Sequence, residues 1–373
     1  MSKKKVVVGM SGGVDSSVAA WLLLEQGYEV VGVTMQVWPD VRPDVRPDEY
    51  PDDQPDGGCC GLSAVEDARR VADCLGIPYY VLNFKRVFQR YVIEDFIRAY
   101  TRGLTPNPCI ACNRYVKWES LLNKAMQLGA DYIATGHYAR VVRHPRTNRL
   151  CLRVSATQEK DQTYALYSLT QEQLARTLTP AGDYTKTEIR ALAERLELPV
   201  AHKPDSQEIC FVPDGDYAAF IRDNTDAPME PGDFLSADGQ VLGRHKGLIH
   251  YTVGQRKGLG SFGKRMYVKR LDRDRNAVVL AEENQIFERE LLAGDVRWMA
   301  FEPFAGEEAL LGKIRYGSQA ADCQIRLEGT NIRCRFRTAQ RAVTPGQAAV
   351  FYDGEYLACG GTILPTDAGI KPS

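Results

Sequence analysis

Lys5-Val6-Val7-Val8-Gly9-Met10-Ser11-Gly12-Gly13-Val14-Asp15-Ser16-Ser17 is the stretch on which the fold turns. The valine run reads as a short strand, Lys5–Gly9, buried on both faces. A Ser/Gly loop follows. Apolar periodicity then resumes over residues 14–26, with Gly27 behind it as a helix C-cap. A strand, a glycine-rich loop and a helix start make an anion site, because glycines let backbone N–H groups point inward and the helix dipole adds positive potential. Ser11, Ser16 and Ser17 supply hydroxyl donors. The loop lacks the Gly-Lys-Ser/Thr of a γ-phosphate-transferring site and the Gly-x-Gly-x-x-Gly of a dinucleotide fingerprint.

Outward from this loop the alternation continues. Strands are expected over 29–35, 78–83 and 132–135, and helices over 62–75, 87–100 and 117–128. Ser63 and Glu66 stand at capping-box spacing. Strands alternating with helices imply a parallel sheet covered on both faces, with ligands at the carboxyl ends of the strands. Met35 ends the second strand and Thr135-Gly136-His137 follows the fourth, both at the edge where such a sheet presents its ligands. Residues 40–56 repeat Val-Arg-Pro-Asp with seven acidic side chains and read as an inserted loop. Beyond about residue 225, Gly, Pro and short alternating runs replace the helical pattern. The expected fold is α/β: a parallel-sheet domain over 1–225, a small β-rich central domain over 226–292 and a C-terminal antiparallel β-barrel over 293–373.

With 373 residues, 44% of them hydrophobic, the chain can bury a large core without disulfide staples. No apolar run approaches the ~20 residues that span a bilayer, so a cytoplasmic protein without membrane contact is expected. The net charge of −1 argues mildly against nucleic acid. It conceals a local patch, however: between Arg244 and Arg275 ten Lys/Arg face two Asp, together with His245, His250, Tyr251 and Tyr267.

Ten cysteines in such a chain do not imply disulfides. Cys74, Cys151, Cys323, Cys334 and Cys359 sit in apolar-periodic context and read as core. Cys59, Cys60, Cys109, Cys112 and Cys210 sit beside Gly, Pro or Asp in expected loops. Cys109-Ile110-Ala111-Cys112 has no second Cys-x-x-Cys at zinc-ribbon spacing and no nearby histidine, so no metal is assigned. An active thiolate needs local positive potential, which Arg114 and Lys117 offer to Cys112 and Lys203 offers to Cys210. Two nucleophilic cysteines suit sulfur transfer: one carries a persulfide, and the other breaks its sulfur–sulfur bond and leaves a disulfide.

The Ser11–Ser16 segment resembles the pyrophosphate loop of the ATP pyrophosphatase superfamily, which implies attack at the α phosphate and an adenylated substrate. Asp15 would orient the magnesium of MgATP or cap the helix. A GMP or NAD synthetase of that superfamily would need an ammonia source and no paired cysteines. A wider set of motifs resembles the tRNA-specific 2-thiouridylase (MnmA) family along the whole chain. These are Gly9–Ser17, Thr105-Pro106-Asn107-Pro108, Cys112-Asn113, Ala134-Thr135-Gly136-His137-Tyr138, Lys160-Asp161-Gln162, Ile209-Cys210-Phe211, the run from Gly247 to Arg256, Arg315-Tyr316 and Pro345-Gly346-Gln347.

The resemblance implies conversion of the tRNA wobble uridine to 2-thiouridine. Gly9, Met10, Ser11, Gly12, Gly13, Val14, Asp15, Ser16, Met35 and Gly136 would bind ATP. Cys210 would carry a persulfide from a sulfur-relay protein or cysteine desulfurase, and Cys112 would be the nucleophile that resolves it. Asn107, Pro108 and Cys109 would line the flipped base. His137, Lys160, Asp161, Gln162, Arg315, Tyr316 and Gln347 would contact tRNA. A monomer is expected. Some members of the family carry Asp where this chain has Cys109. That departure leaves an alternative, in which Cys109, Cys112 and Cys210 hold an iron–sulfur cluster with one open iron. Cys59-Cys60 would be a sulfur-entry point or an incidental pair.

Overall fold

The computed structural model describes residues 3–37, 61–205, 209–212, 214–227 and 229–365. The acidic insertion at 40–56 and the Cys59-Cys60 pair lie outside the described residues. The chain divides into two compact units: Met1–Ile93 with Pro108–Gly215 and Glu355–Leu357, and Glu94–Asn107 with Asp216–Gly354 and Ala358–Ser373.

The first unit is built on strands β1 (Lys5–Gly9), β2 (Glu29–Gln36), β3 (Tyr79–Asn83) and β4 (Tyr132–Ala134). An antiparallel hairpin, β5 (Arg140–Arg143) and β6 (Leu150–Arg153), follows, and then the short β7 (Thr177–Leu178). The sheet order is β3-β2-β1-β4-β7, with every pairing parallel. Strand order therefore reverses at β1, and the loop after β1 lies at the topological switch point where such sheets bind ligands. Val6 and Val8 are fully buried and share a core with Val18, Ala20 and Leu23 of helix α1 (Val14–Glu25) and Val71 and Ala72 of α2 (Leu62–Leu75).

Three local expectations are corrected. Helix α2 has Gly61 as its N-cap with no side-chain cap bond, so Ser63 falls inside the first turn and no capping box forms. The helix expected over 87–100 starts at Lys85 and passes through a π-helical turn at Gln89–Ile93. The helix expected over 117–128 begins instead at Pro108 and runs through Cys112–Leu121 into Leu122–Gln127. A proline at a first helical position loses no needed hydrogen bond and has its φ already set. Cys109 and Cys112 are therefore helical, not loop residues.

The second unit holds two β assemblies. Strands β8 (Gly232–Leu235), β9 (Val241–His245), β10 (Tyr267–Asp272) and β11 (Ala277–Ala281) form a sheet of order β10-β11-β8-β9 over Phe234, Tyr251, Leu259, Val268 and Leu280. Strands β12 (Phe287–Trp298), β13 (Glu307–Lys313), β14 (Ala321–Glu328), β15 (Asn331–Arg341), β16 (Ala348–Asp353) and β17 (Tyr356–Ile363) close into an antiparallel barrel through the β12–β17 pairing. On β15, Ile332, Cys334 and Phe336 face inward and Arg335 and Arg337 outward, the period-2 pattern of a strand with one wet face. The patch between Arg244 and Arg275 separates likewise. Arg244, Lys246, Arg256, Lys257, Lys264 and Arg265 are exposed, but His245, Tyr251 and Tyr267 are core side chains. Those three rings fill the interior and do not belong to a basic surface.

Candidate active site

At the carboxyl end of β1 the chain turns into α1 under tight constraint. Met10 is buried; its N–H donates to the Val33 carbonyl at 2.8 Å and its own carbonyl accepts from Thr34 Oγ1 at 2.7 Å. Ser11 N–H donates to Ser16 Oγ at 3.2 Å, and Ser17 Oγ donates to the Gly13 carbonyl at 2.8 Å, so the serines tie the loop to the helix start. Gly12 has φ +65°, and a Cβ there would lie 2.3 Å from the Ala64 carbonyl oxygen, which only glycine avoids. Gly13 is the N-cap of α1 and provides no side-chain bond. First-turn amides have no acceptor within their helix, so those of Val14, Asp15 and Ser16 can serve an anion. Gly136 lies flat against this turn: a Cβ on it would stand 2.6 Å from the carbonyl carbon of Asp15 and from Ser16 N. Met35 is the penultimate residue of β2, at the same edge of the sheet, and is 8% exposed.

Asp15 does not cap α1. Its carboxylate accepts from Tyr138 Oη at 2.7 Å and from Lys186 Nζ at 2.7 and 2.9 Å. Lys186 also reaches Asp205 at 2.7 Å, and Asp205 accepts further bonds from Lys160 and Arg190, each at 3.0 Å. Burial works to raise the Asp205 carboxyl, but bonds and charge from Lys186 and Lys160 outweigh it and hold the group below its usual range. Burial, reinforced by the bond to Asp15, pushes the Tyr138 phenol far up, so it stays a neutral donor. Lys186, Asp205 and Arg190 were not singled out from sequence. A signal existed: Thr185 and Glu188 form a capping box, which puts Lys186 at the first position of its helix, where the dipole disfavours a cation. A lysine there calls for an anionic partner.

A second chain of bonds runs from the cysteine-bearing helix to β4. Asn113, 2% exposed, donates to the Ala165 carbonyl at 2.9 Å and accepts from Lys117 Nζ at 2.8 Å. Lys117 Nζ lies 3.5 Å from His137 Nε2, and His137 Nδ1 lies 2.7 Å from Thr135 Oγ1. An ammonium only donates, which assigns the proton to Nδ1. Burial and the Lys117 charge keep His137 well below the ordinary imidazole range, hence neutral. Cys109, one residue into the helix, is exposed, while Cys112 and Cys210 are half-buried. Phe211, next to Cys210, packs edge-on to Phe88 with ring centroids 5.8 Å apart. Lys203 is committed to Asp67 at 2.6 Å, so the expected electrostatic help for Cys210 is directed elsewhere. Cys74 is exposed, on the outward face of α2, and is not core as its apolar neighbours suggested; Cys151, Cys323, Cys334 and Cys359 are buried.

Three family models match in succession: a tRNA methyl transferase HUP domain over residues 4–214, a tRNA methyl transferase PRC-barrel domain over 219–282 and an aminomethyltransferase β-barrel domain over 288–363. A protein of Lachnoclostridium phytofermentans named tRNA-specific 2-thiouridylase MnmA is 56% identical over 363 residues, covering 97% of this chain and 99% of that protein. Its namesakes from Acetivibrio thermocellus and Clostridioides difficile are 56% and 49% identical over 97% and 96% of this chain, and cover 100% and 98% of those proteins. The chain belongs to the tRNA-specific 2-thiouridylase family. A solved 4-thiouridine synthetase in complex with RNA and ATP aligns with 59% of this chain and 50% of its own at 19% identity and a TM-score of 0.32.

For a 2-thiouridylase the remaining expected residues fall into two groups. Lys160, Arg315 and Tyr316 are exposed, with Lys313 over the Tyr316 ring at 5.7 Å. Asp161, Gln162 and Gln347 make bonds within the protein. Asp161 is buried and accepts from Ser155 N–H and Thr163 Oγ1, and Gln162 Oε1 accepts from Tyr138 N–H. Gln347 Nε2 donates to the Thr105 carbonyl. Among the described residues no group of three or more His, Cys, Asp or Glu side chains is gathered to hold a metal ion. Cys109, Cys112 and Cys210 do not form such a group. Among the described residues no helix is long and apolar enough to cross a membrane.

Proposed function

We propose that this chain thiolates tRNA, replacing the 2-oxygen of the wobble uridine with sulfur in the cytoplasm. The observation that carries the reading is the match along almost the whole length to relatives named tRNA-specific 2-thiouridylase. MgATP enters as substrate, its phosphates on the loop from Gly9 to Ser16 and its adenine beside Met35 and Gly136. Uracil O2 attacks the α phosphate and pyrophosphate leaves. The oxygen thereby becomes part of AMP, a good leaving group. The outer sulfur of a Cys210 persulfide, delivered by a relay protein or desulfurase, attacks C2 and AMP departs. The Cys112 thiolate then attacks Sγ of Cys210, breaks the sulfur–sulfur bond and frees 2-thiouridine. A Cys112–Cys210 disulfide remains, and a thiol reductant must return two electrons before the next turnover.

Asn107, Pro108 and Cys109 would receive the flipped base, and His137, Lys160, Arg315 and Tyr316 would face the RNA. The parts 1–225, 226–292 and 293–373 would serve catalysis, linkage and tRNA docking in a monomer. The glycine-rich loop and the two half-buried cysteines support this division of labour. The test is Cys112→Ser in an assay with ATP, tRNA and a persulfide donor. Product should vanish while ATP binding persists; retained thiolation would sink the cysteine mechanism.

A further inference from the structure

Where β10 and the start of β12 come close to residues 102–104, the second unit encloses a cavity of about 310 Å³, a size that suits a small ligand. Leu104, Val343 and Pro345 give it apolar walls, and Arg102, Lys269 and Glu288 give it charge. All six belong to the second unit. Arg270, also on the wall, is already paired with Asp272 at 3.0 Å.

Two separate irregularities set Glu288 and Lys269 in place. β12 shifts register against β15 between Glu288 and Glu290, and β10 shifts against β11 between Val268 and Arg270, on either side of Lys269. Bulges of this kind re-aim side chains and are frequent beside sites. The carboxylate and the ammonium nevertheless do not pair. Among the described residues, Glu288, Lys269 and Arg102 make no side-chain hydrogen bond and no ion pair. Burial raises the Glu288 carboxyl above its usual range, and the Lys269 charge offsets this in part. A half-buried carboxyl and two cations around one cavity, none of them bonded to the protein, suit a ligand that accepts from the cations and donates to the carboxyl.

We propose that this cavity takes a uracil base of the tRNA other than the target. Uracil presents one N–H, at N3, between two carbonyl oxygens, which matches one acceptor and two cationic donors. Cytosine has a lone pair at N3 instead, which a carboxylate repels. The apolar walls suit the faces of the ring. The location points to RNA as the source of the base. Thr105 N–H donates to the Pro345 carbonyl at 2.9 Å, so the cavity wall is bonded to the segment that leads to Asn107, expected to line the target base. Sequence-specific RNA recognition reads such splayed, unstacked bases. The proposal rests on the thiolation reading.

The test measures binding of the full chain to an anticodon stem-loop RNA in which each loop uridine except the target is replaced in turn by cytidine. In wild type one replacement should weaken binding about tenfold. In Glu288→Gln, whose amide can accept or donate, the same replacement should matter less than about twofold. Lys269→Met should weaken binding of the uridine RNA about fivefold. Wild-type indifference to every replacement would overturn the proposal, as would equal discrimination in wild type and Glu288→Gln. Binding of uridine monophosphate that is lost in Glu288→Gln, with no loop position sensitive, would make this a free-nucleotide site and overturn the RNA assignment. If wild type binds tRNA without thiolating it, the thiolation reading falls alone, because the discrimination is read from binding.

Discussion

Replacing Gly136 with alanine tests whether the β4 loop forms part of the nucleotide site. The added Cβ would lie 2.6 Å from the carbonyl carbon of Asp15 and from Ser16 N, short of ordinary contact at 3.4 Å by about 0.8 Å. Neither atom belongs to a flexible side chain. Both are backbone in the first turn of α1, so the amides that would hold the phosphates must move with them. Overpacking of this kind costs about 1–3 kcal/mol, which, felt at the loop, weakens ATP binding by about fivefold to 150-fold. Titration calorimetry with MgATP measures this directly, and a thermal melt checks that the variant is folded. Gly317→Ala is the comparison, because a Cβ there meets nothing within 4 Å and should leave ATP affinity unchanged. Equal ATP affinity in wild type and Gly136→Ala would refute the reasoning, as would equal losses in the two variants.

Lys186→Met should lower the melting temperature at neutral pH, since it leaves Asp15 and Asp205 facing each other without the cation between them. The sign with pH follows from Asp205: a carboxyl held below its unfolded value stabilises above that value and loses the contribution as pH falls through its folded one. Wild type should therefore lose more melting temperature than Lys186→Met between roughly pH 5 and pH 3, and parallel profiles would contradict the pairing. Alkylation of folded protein followed by mass spectrometry should label Cys74 and Cys109 first, Cys112 and Cys210 more slowly, and Cys151, whose thiol burial pushes up to about 12, hardly at all. Rapid labelling of Cys151 would contradict its burial. Arg315→Ala should weaken tRNA binding and shallow its salt dependence by about one unit of slope; an unchanged slope would remove Arg315 from the phosphate contacts.

The parallel-sheet part was legible because its signals are local. Lys5 to Ser17 announces strand, loop and helix within thirteen residues, and β-branched strands separated by helices admit few sheet orders. The barrel was legible as a class, but not strand by strand: β12 reads as no clear alternation because register shifts interrupt its pairing with β15 and with β17. What stayed hidden was pairing at long range. Nothing near Asp15 in sequence names Lys186, 171 residues away, and nothing near Thr105 names Gln347. The same limit explains the errors over charge. Lys203 looked available to Cys210 because it is seven residues away along the chain, yet Asp67 holds it at 2.6 Å from 136 residues away. A cation's proximity in sequence gives potential only when no carboxylate is closer in space. Lys117 illustrates the other outcome: close to Cys112 along the chain, it meets Asn113 and the distant His137 imidazole in the fold. Burial, and after it the Lys117 charge, keeps His137 neutral, and the Lys117 bond holds Asn113, the residue after Cys112.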